Sequence, residues 1–151
     1  MCTLDDNCVF CKIIVENDKN KILFEDEQVV VFPDIRPASK YHYLIVPKNH
    51  IQNAKVLNPS HLNLLQHMIS VAKNSLSDKC IDSSEIRYGF HWPPFVTVPH
   101  LHLHAIAPTS EMGFVSRMIF KANSWWFVSP DDVVSRLEAM KEINCQSSEN
   151  L

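Results

Sequence analysis

Apolar positions fall into short blocks in some parts of the chain and at helical spacing in others, and the two periods divide the sequence into elements. Ile22-Leu23-Phe24-Glu25 and Val29-Val30-Val31-Phe32 flank Asp26-Glu27-Gln28 and predict a hairpin. Tyr43-Leu44-Ile45-Val46 predicts a strand stopped by Pro47, and Ile86-Arg87-Tyr88-Gly89-Phe90-His91 predicts another. Between them Asn58-Pro59 has the composition of a helix start, a capping residue followed by proline at the first helical position. Leu62, Leu65, Ile69, Ala72 and Leu76 then recur at helical spacing, with His61 and His67 read as surface residues. Val9-Phe10-Cys11-Lys12-Ile13-Ile14 predicts a short helix near the N-terminus. Ser129-Pro130-Asp131-Asp132 has a capping-box pattern and leads into a last helix with Val133, Leu137 and Met140 on one side.

A fifth strand is predicted at Pro99-His100-Leu101-His102-Leu103-His104-Ala105-Ile106. Period two sends its three histidines to one face and Leu101, Leu103 and Ala105 to the other. Five strands with hairpin-length links and few helices predict an α+β domain with a mainly antiparallel sheet, one main helix and a C-terminal helix.

With 151 residues, 46% of them hydrophobic, the chain fits a single domain with a real core. That domain is placed at residues 8–143, between a polar tail at 1–7 and a second tail at 144–151. The net charge of −3 and the mixing of acidic and basic residues argue against a nucleic-acid or membrane surface, without excluding a single nucleotide. No apolar run approaches a membrane span. The five cysteines, Cys2, Cys8, Cys11, Cys80 and Cys145, follow a polar, acidic N-terminus unlike a signal peptide, which implies a reducing compartment, cytoplasmic or nuclear.

Imidazole is the one side chain whose unperturbed pKa lies near neutrality, so three on one face make a chemical site. Two readings of the residues stand side by side. Strand histidines at i and i+2 can ligate zinc. Alternatively the middle imidazole attacks phosphorus and carries a covalent phosphoryl group until water releases it. The pair Cys8-Val9-Phe10-Cys11 is likewise open between a zinc half-site and two reduced, partly buried thiols.

His100-Leu101-His102-Leu103-His104-Ala105-Ile106 resembles the signature of the histidine triad superfamily, His-Ø-His-Ø-His-Ø-Ø with Ø apolar. Phe32-Pro33-Asp34-Ile35-Arg36-Pro37 is similar to that family's ribose-binding loop, and Tyr43 to Ile51 to the strand ending in its fourth histidine. The resemblance runs from Cys8 to Pro108, and within the superfamily it is to the Hint branch. It implies a homodimer whose five-stranded sheets join, and hydrolysis of the P–N bond of adenosine 5′-monophosphoramidates with no metal needed for turnover. It further implies His102 as the nucleophile that takes AMP, His104 on the transferred phosphate, His100 orienting the row and His50 supporting His102. Asp34 is implied as the ribose ligand, with Ile35 and Phe32 packing the base. Relatives that close a structural zinc site with a cysteine pair and two histidines match Cys8, Cys11, His50 and His100.

One departure bears on activity. Hint-branch enzymes carry an Asn and then Gly-Gln-Ser-Val before the triad, where this chain has Gly89 and Phe95-Val96-Thr97-Val98. Thr97 keeps a hydroxyl for the phosphate, but the amide is lost. That loss opens the alternative of a catalytically weak nucleotide-binding interaction protein, and Phe90-His91-Trp92-Pro93-Pro94 is similar to the aprataxin branch, which implies a second alternative, removal of AMP from adenylated nucleic-acid ends. His42, between Tyr41 and Tyr43, reads as an exposed strand residue, and His91 as a pocket or surface residue.

Overall fold

A computed structural model describes residues 3–149; Cys2 lies outside them. Helix α1 (Val9–Glu16) is followed by the hairpin β1 (Phe24–Glu25) and β2 (Val29–Pro33), then β3 (Tyr41–Pro47). Helix α2 (Leu62–Leu76) starts from a one-turn 3₁₀ segment that Asn58 caps, accepting from Ser60 N while His61 Nδ1 accepts from Asn58 N at 3.1 Å. His61 is therefore a capping residue, and His67 reaches Asp26 at 2.6 Å. Strands β4 (Arg87–His91) and β5 (Leu103–Ala107), helix α3 (Phe114–Ile119), strand β6 (Phe127–Val128) and helix α4 (Pro130–Glu149) complete the order.

The sheet runs β1-β2-β3-β5-β4-β6 with every pairing antiparallel. It has six strands where the hydrophobic pattern gave five. The sixth, β6, is two residues long and sits on the free edge of β4, pairing Phe90 with Val128 and His91 with Phe127. So short a segment carries no readable period. The last helix also runs on to Glu149, past the boundary expected at 143. Residues 3–7, expected as a tail, dock against the loop after β3: His50 N donates to Thr3 O at 2.7 Å, and Thr3 N to Asn49 Oδ1.

Strand alternation sorts the core into layers. Val29, Val31, Ile45, Leu103, Ala105 and Ala107 face α2, where Leu65, Met68, Ala72 and Leu76 recur at helical spacing, and Val133 and Leu137 of α4 close that layer. Each Val, Leu, Ile or Met side chain among them, fully buried, contributes about 1.5–3 kcal/mol. Val30, Phe32, Leu44 and Val46 point the other way, against Cys8, Phe10 and Cys11 of the α1 region. Farther along that second face Ile106 packs on Met112, Phe120 and Phe127. The histidines lie between these two coverings, bordered by Phe10 on one side and by Phe120 and Phe127 on the other. No described helix is long and apolar enough to cross a membrane.

Candidate active site

Strand β5 begins only at Leu103, so His100 and His102 precede it in irregular chain rather than within the strand, with a bend at His100. All three histidines of the row are nonetheless buried. Burial makes a hydrogen-bond partner valuable to a ring nitrogen, and the partners present fix the tautomers. His102 Nδ1 lies 2.6 Å from the carbonyl oxygen of His100 and so donates its proton there. The lone pair is left on Nε2. Removal from water, the largest influence, pushes the His102 pKa down to about 4, so the ring is neutral and nucleophilic at neutral pH.

His104 is fixed by a longer chain of partners. The Ala38 N–H donates to His42 Nδ1 at 3.0 Å, so the proton of neutral His42 is on Nε2. That Nε2–H donates to His104 Nδ1 at 2.8 Å, which puts the His104 proton on its own Nε2. His104 Nε2 is buried and has no protein partner among the described residues. It is an oriented donor waiting for an acceptor. Burial holds His104 well below the ordinary histidine pKa and His42 at about 4.

His42 is therefore not the exposed strand residue its tyrosine neighbours suggested. It is 2% exposed and stands behind the row, packed against the Phe120 ring. His50, expected in that supporting place, lies instead beside His100, with ring centroids 4.8 Å apart, and reaches Cys11 Sγ from Nδ1 at 3.4 Å.

His100 faces two ways. Its Nε2 donates to Pro47 O at 2.8 Å, leaving the Nδ1 lone pair toward Cys8 Sγ and Cys11 Sγ at 3.4 and 3.5 Å. One ligand atom from each of Cys8, Cys11, His50 and His100 lies within 4.8 Å of the others, a buried cluster capable of holding a metal ion. Burial raises the Cys11 thiol pKa, the penalty a bound cation would remove. Asp34, His42 and His104 also converge. There, however, the facing imidazole nitrogens share a proton at hydrogen-bonding distance, which occupies the lone pair a metal would take.

The remaining expected residues scatter. Asp34 is partly engaged, its Oδ1 accepting from Arg36 N at 2.8 Å and its Oδ2 lying 3.5 Å from His42 Nε2. Ile35 is almost fully exposed beside it, whereas Phe32 is buried edge-on to Phe10. Thr97 is exposed in the loop before the row. Phe10, Phe120 and Phe127 were missed as site residues. Their rings touch His102 or His104, but their sequence positions fall on elements read only as core or left unassigned. Gly89 is explained by one of them, because a Cβ at that position would overlap the Phe127 ring. The amide absent from this position has no room.

A family model described as scavenger mRNA decapping enzyme C-term binding matches residues 7–119. The adenosine 5′-monophosphoramidase HINT3 of Xenopus tropicalis is 43% identical over 137 residues, covering 89% of this chain and 90% of that one. The chain belongs to that family and to the Hint branch of the histidine triad superfamily. The mouse HINT3 is also 43% identical, over 88% of this histidine triad protein and 82% of its own length. A HIT family hydrolase from Clostridium thermocellum superposes with a TM-score of 0.63 at 37% identity, over 68% of this chain and 91% of that one.

The comparisons correct one expectation. Hnt3 in complex with DNA and guanosine shares the fold, with a TM-score of 0.62 at 22% identity over 83% of this chain and 75% of that one. A histidine triad fold accommodates DNA, so nucleic acid is not excluded as a partner. The exclusion rested on net charge, but a nucleic-acid contact needs cations in one place rather than a positive total. In this histidine triad protein Arg87, Arg117 and Lys121 line a single cavity of about 470 Å³ together with Glu85.

Proposed function

We propose that this chain hydrolyses the P–N bond of AMP–amine conjugates through a covalent AMP–His102 intermediate. The observation that carries the reading is the His102 tautomer. A buried, neutral imidazole whose Nδ1–H is tied to the His100 carbonyl has its Nε2 lone pair available to phosphorus. His104 supplies the complementary part, an oriented Nε2–H for a phosphate oxygen whose charge grows as Nε2 of His102 attacks. Phe10 beside His102, with Phe120 and Phe127 beside His104, keeps bulk water from the rings. Asp34, at the edge of the site and 3.5 Å from His42, is the candidate partner for ribose hydroxyls.

The metal cluster fits zinc. Two thiols and two imidazoles are a tetrahedral donor set, the His100 tautomer already aims Nδ1 at the thiols, and Asp5 Oδ2 stands 4.0 Å from the far nitrogen of His50. Bound zinc would supply a structural clamp joining α1, the segment after β3 and the first histidine of the row. The chemistry of turnover stays with His102 and His104.

The test is direct. Incubation with an AMP–alkylamine conjugate and rapid quenching at alkaline pH is expected to trap an acid-labile adenylyl group mapping to His102. His102→Ala is expected to abolish turnover while AMP affinity stays within roughly tenfold. Near-normal turnover by that variant would overturn the assignment.

A further inference from the structure

A leaving amine has to depart with a proton, and the residues assigned so far do not provide one. His104 holds a single proton, on Nε2, and behind it stand His42 and the amide of Ala38. A backbone amide has no proton to pass along that chain. Giving up its own proton would leave His104 an imidazolate in a buried site, so His104 stabilises charge and does not act as the acid. The amide of the Hint-branch Asn is excluded by the Phe127 ring over Gly89.

One further imidazole borders the row. His91, at the end of β4, lies 4.9 Å from His104 centroid to centroid and is boxed by Phe120 and Phe127, each 5.1 Å away. Gly89 pairs with His104 at the end of the β4–β5 ladder, and His91 follows two residues on, near enough to His102 for its charge to act there. Its Nε2 donates to the Ile119 carbonyl at 3.2 Å, so Nδ1 is the nitrogen free to gain and lose a proton. Burial, the largest influence on His91, lowers its pKa, while the Ile119 carbonyl and Asp34 oppose that shift; the ring is only half-buried, so it takes up from water the proton that it passes on.

We propose that His91 is the general acid of the first half-reaction and the general base of the second. This rests on the phosphoramidase reading above. As His102 Nε2 bonds to phosphorus, the P–N bond of the substrate breaks and its electron pair goes to the amine nitrogen, which takes the proton from Nδ1 of His91 imidazolium. In the second half-reaction neutral Nδ1 removes a proton from water while the water oxygen bonds to phosphorus. The bond to His102 then breaks, releasing AMP and restoring the imidazolium.

Two substrates separate proton donation from packing. The rate of adenylylation in a single turnover is measured with an AMP–alkylamine conjugate and with the p-nitrophenyl ester of AMP, whose leaving group departs as an anion. His91→Phe and His91→Gln are each compared with the full wild-type chain. Both are expected to lose about 100-fold or more on the alkylamine conjugate and less than about threefold on the ester. The ratio of the two rates does not depend on the fraction of folded enzyme, so a destabilised variant still reports. An equal loss on both substrates, or no loss on either, overturns the proposal while leaving the phosphoramidase reading intact. Failure of the wild-type chain to cleave the alkylamine conjugate overturns both.

Discussion

His42→Phe tests the tautomer relay most sharply. A phenyl ring keeps the volume and the edge contact with Phe120, whose centroid lies 5.2 Å away, and removes both nitrogens. Two buried bonds are lost, Ala38 N–H to Nδ1 at 3.0 Å and Nε2–H to His104 at 2.8 Å. Each leaves a buried partner unsatisfied at about 1–3 kcal/mol, so the substitution is expected to cost about 2–6 kcal/mol. Because a typical domain has about 5–15 kcal/mol in reserve, the variant should fold. Its Tm should fall at about 2–4 °C per kcal/mol. His104 also loses the partner that keeps its proton on Nε2, and turnover should fall by up to about a hundredfold. His42→Gln offers one acceptor and one donor in a flat amide and should recover much of both losses. Denaturant unfolding and steady-state kinetics on the three proteins decide the matter. A His42→Phe protein within about 1 kcal/mol of wild type with normal turnover would refute the relay. Recovery by Phe but not by Gln would show that ring packing is what the site requires.

Further outcomes follow from the same geometry. Asp34→Asn keeps an oxygen for the Arg36 amide and removes the charge, so it should raise KM more than it lowers kcat and flatten the preference for ribose over 2′-deoxyribose substrates. An equal effect on both sugars would mean that Asp34 only shapes its turn. Exhaustive EDTA should lower Tm and leave turnover near normal, with metal analysis before chelation showing about one zinc per chain; loss of turnover restored by zinc would point to a metal-dependent reaction. Burial depresses the pKa of His42 and His102 to about 4 and holds that of His104 well below the ordinary histidine value, so between about 4 and the ordinary 6.5 the unfolded chain binds more protons than the folded one. Their contribution is present above pH 6.5 and is lost as pH falls toward 4. Unfolding free energy should therefore drop by more than about 1.4 kcal/mol per pH unit near pH 5, and a smaller slope would mean that these rings are not neutral in the fold.

Much of the frame was readable because local pattern and tertiary environment agree. The unbroken apolar run Val29 to Phe32 matches two apolar layers, one on each side of the sheet, and Asn58-Pro59 marks the helix start that Asn58 in fact caps. The histidine row stands out because three imidazoles in an apolar stretch have no packing rationale. His42 failed for the opposite reason. Local pattern placed it among tyrosines on a strand, while its burial comes from Phe120 and its partner from His104, distant positions that no periodicity connects. Phe127 and β6 escaped because two residues against a sheet edge carry no period. His50 was legible through the resemblance as a partner of Cys8, Cys11 and His100, and it lies with them, while the place behind the row is taken by His42.

The contact between Gly89 and Phe127 makes the order of sequence change matter. Neither residue is free to vary alone toward the Asn-bearing pattern: Gly89→Asn meets an aromatic ring, and Phe127→Ala by itself uncovers His91 and His104 without supplying a donor. A lineage exchanging one arrangement for the other passes through an intermediate poorer than either end. Two positions 38 residues apart in the sequence thus behave as one inherited unit, and an engineer who grafts the amide has to move both at once.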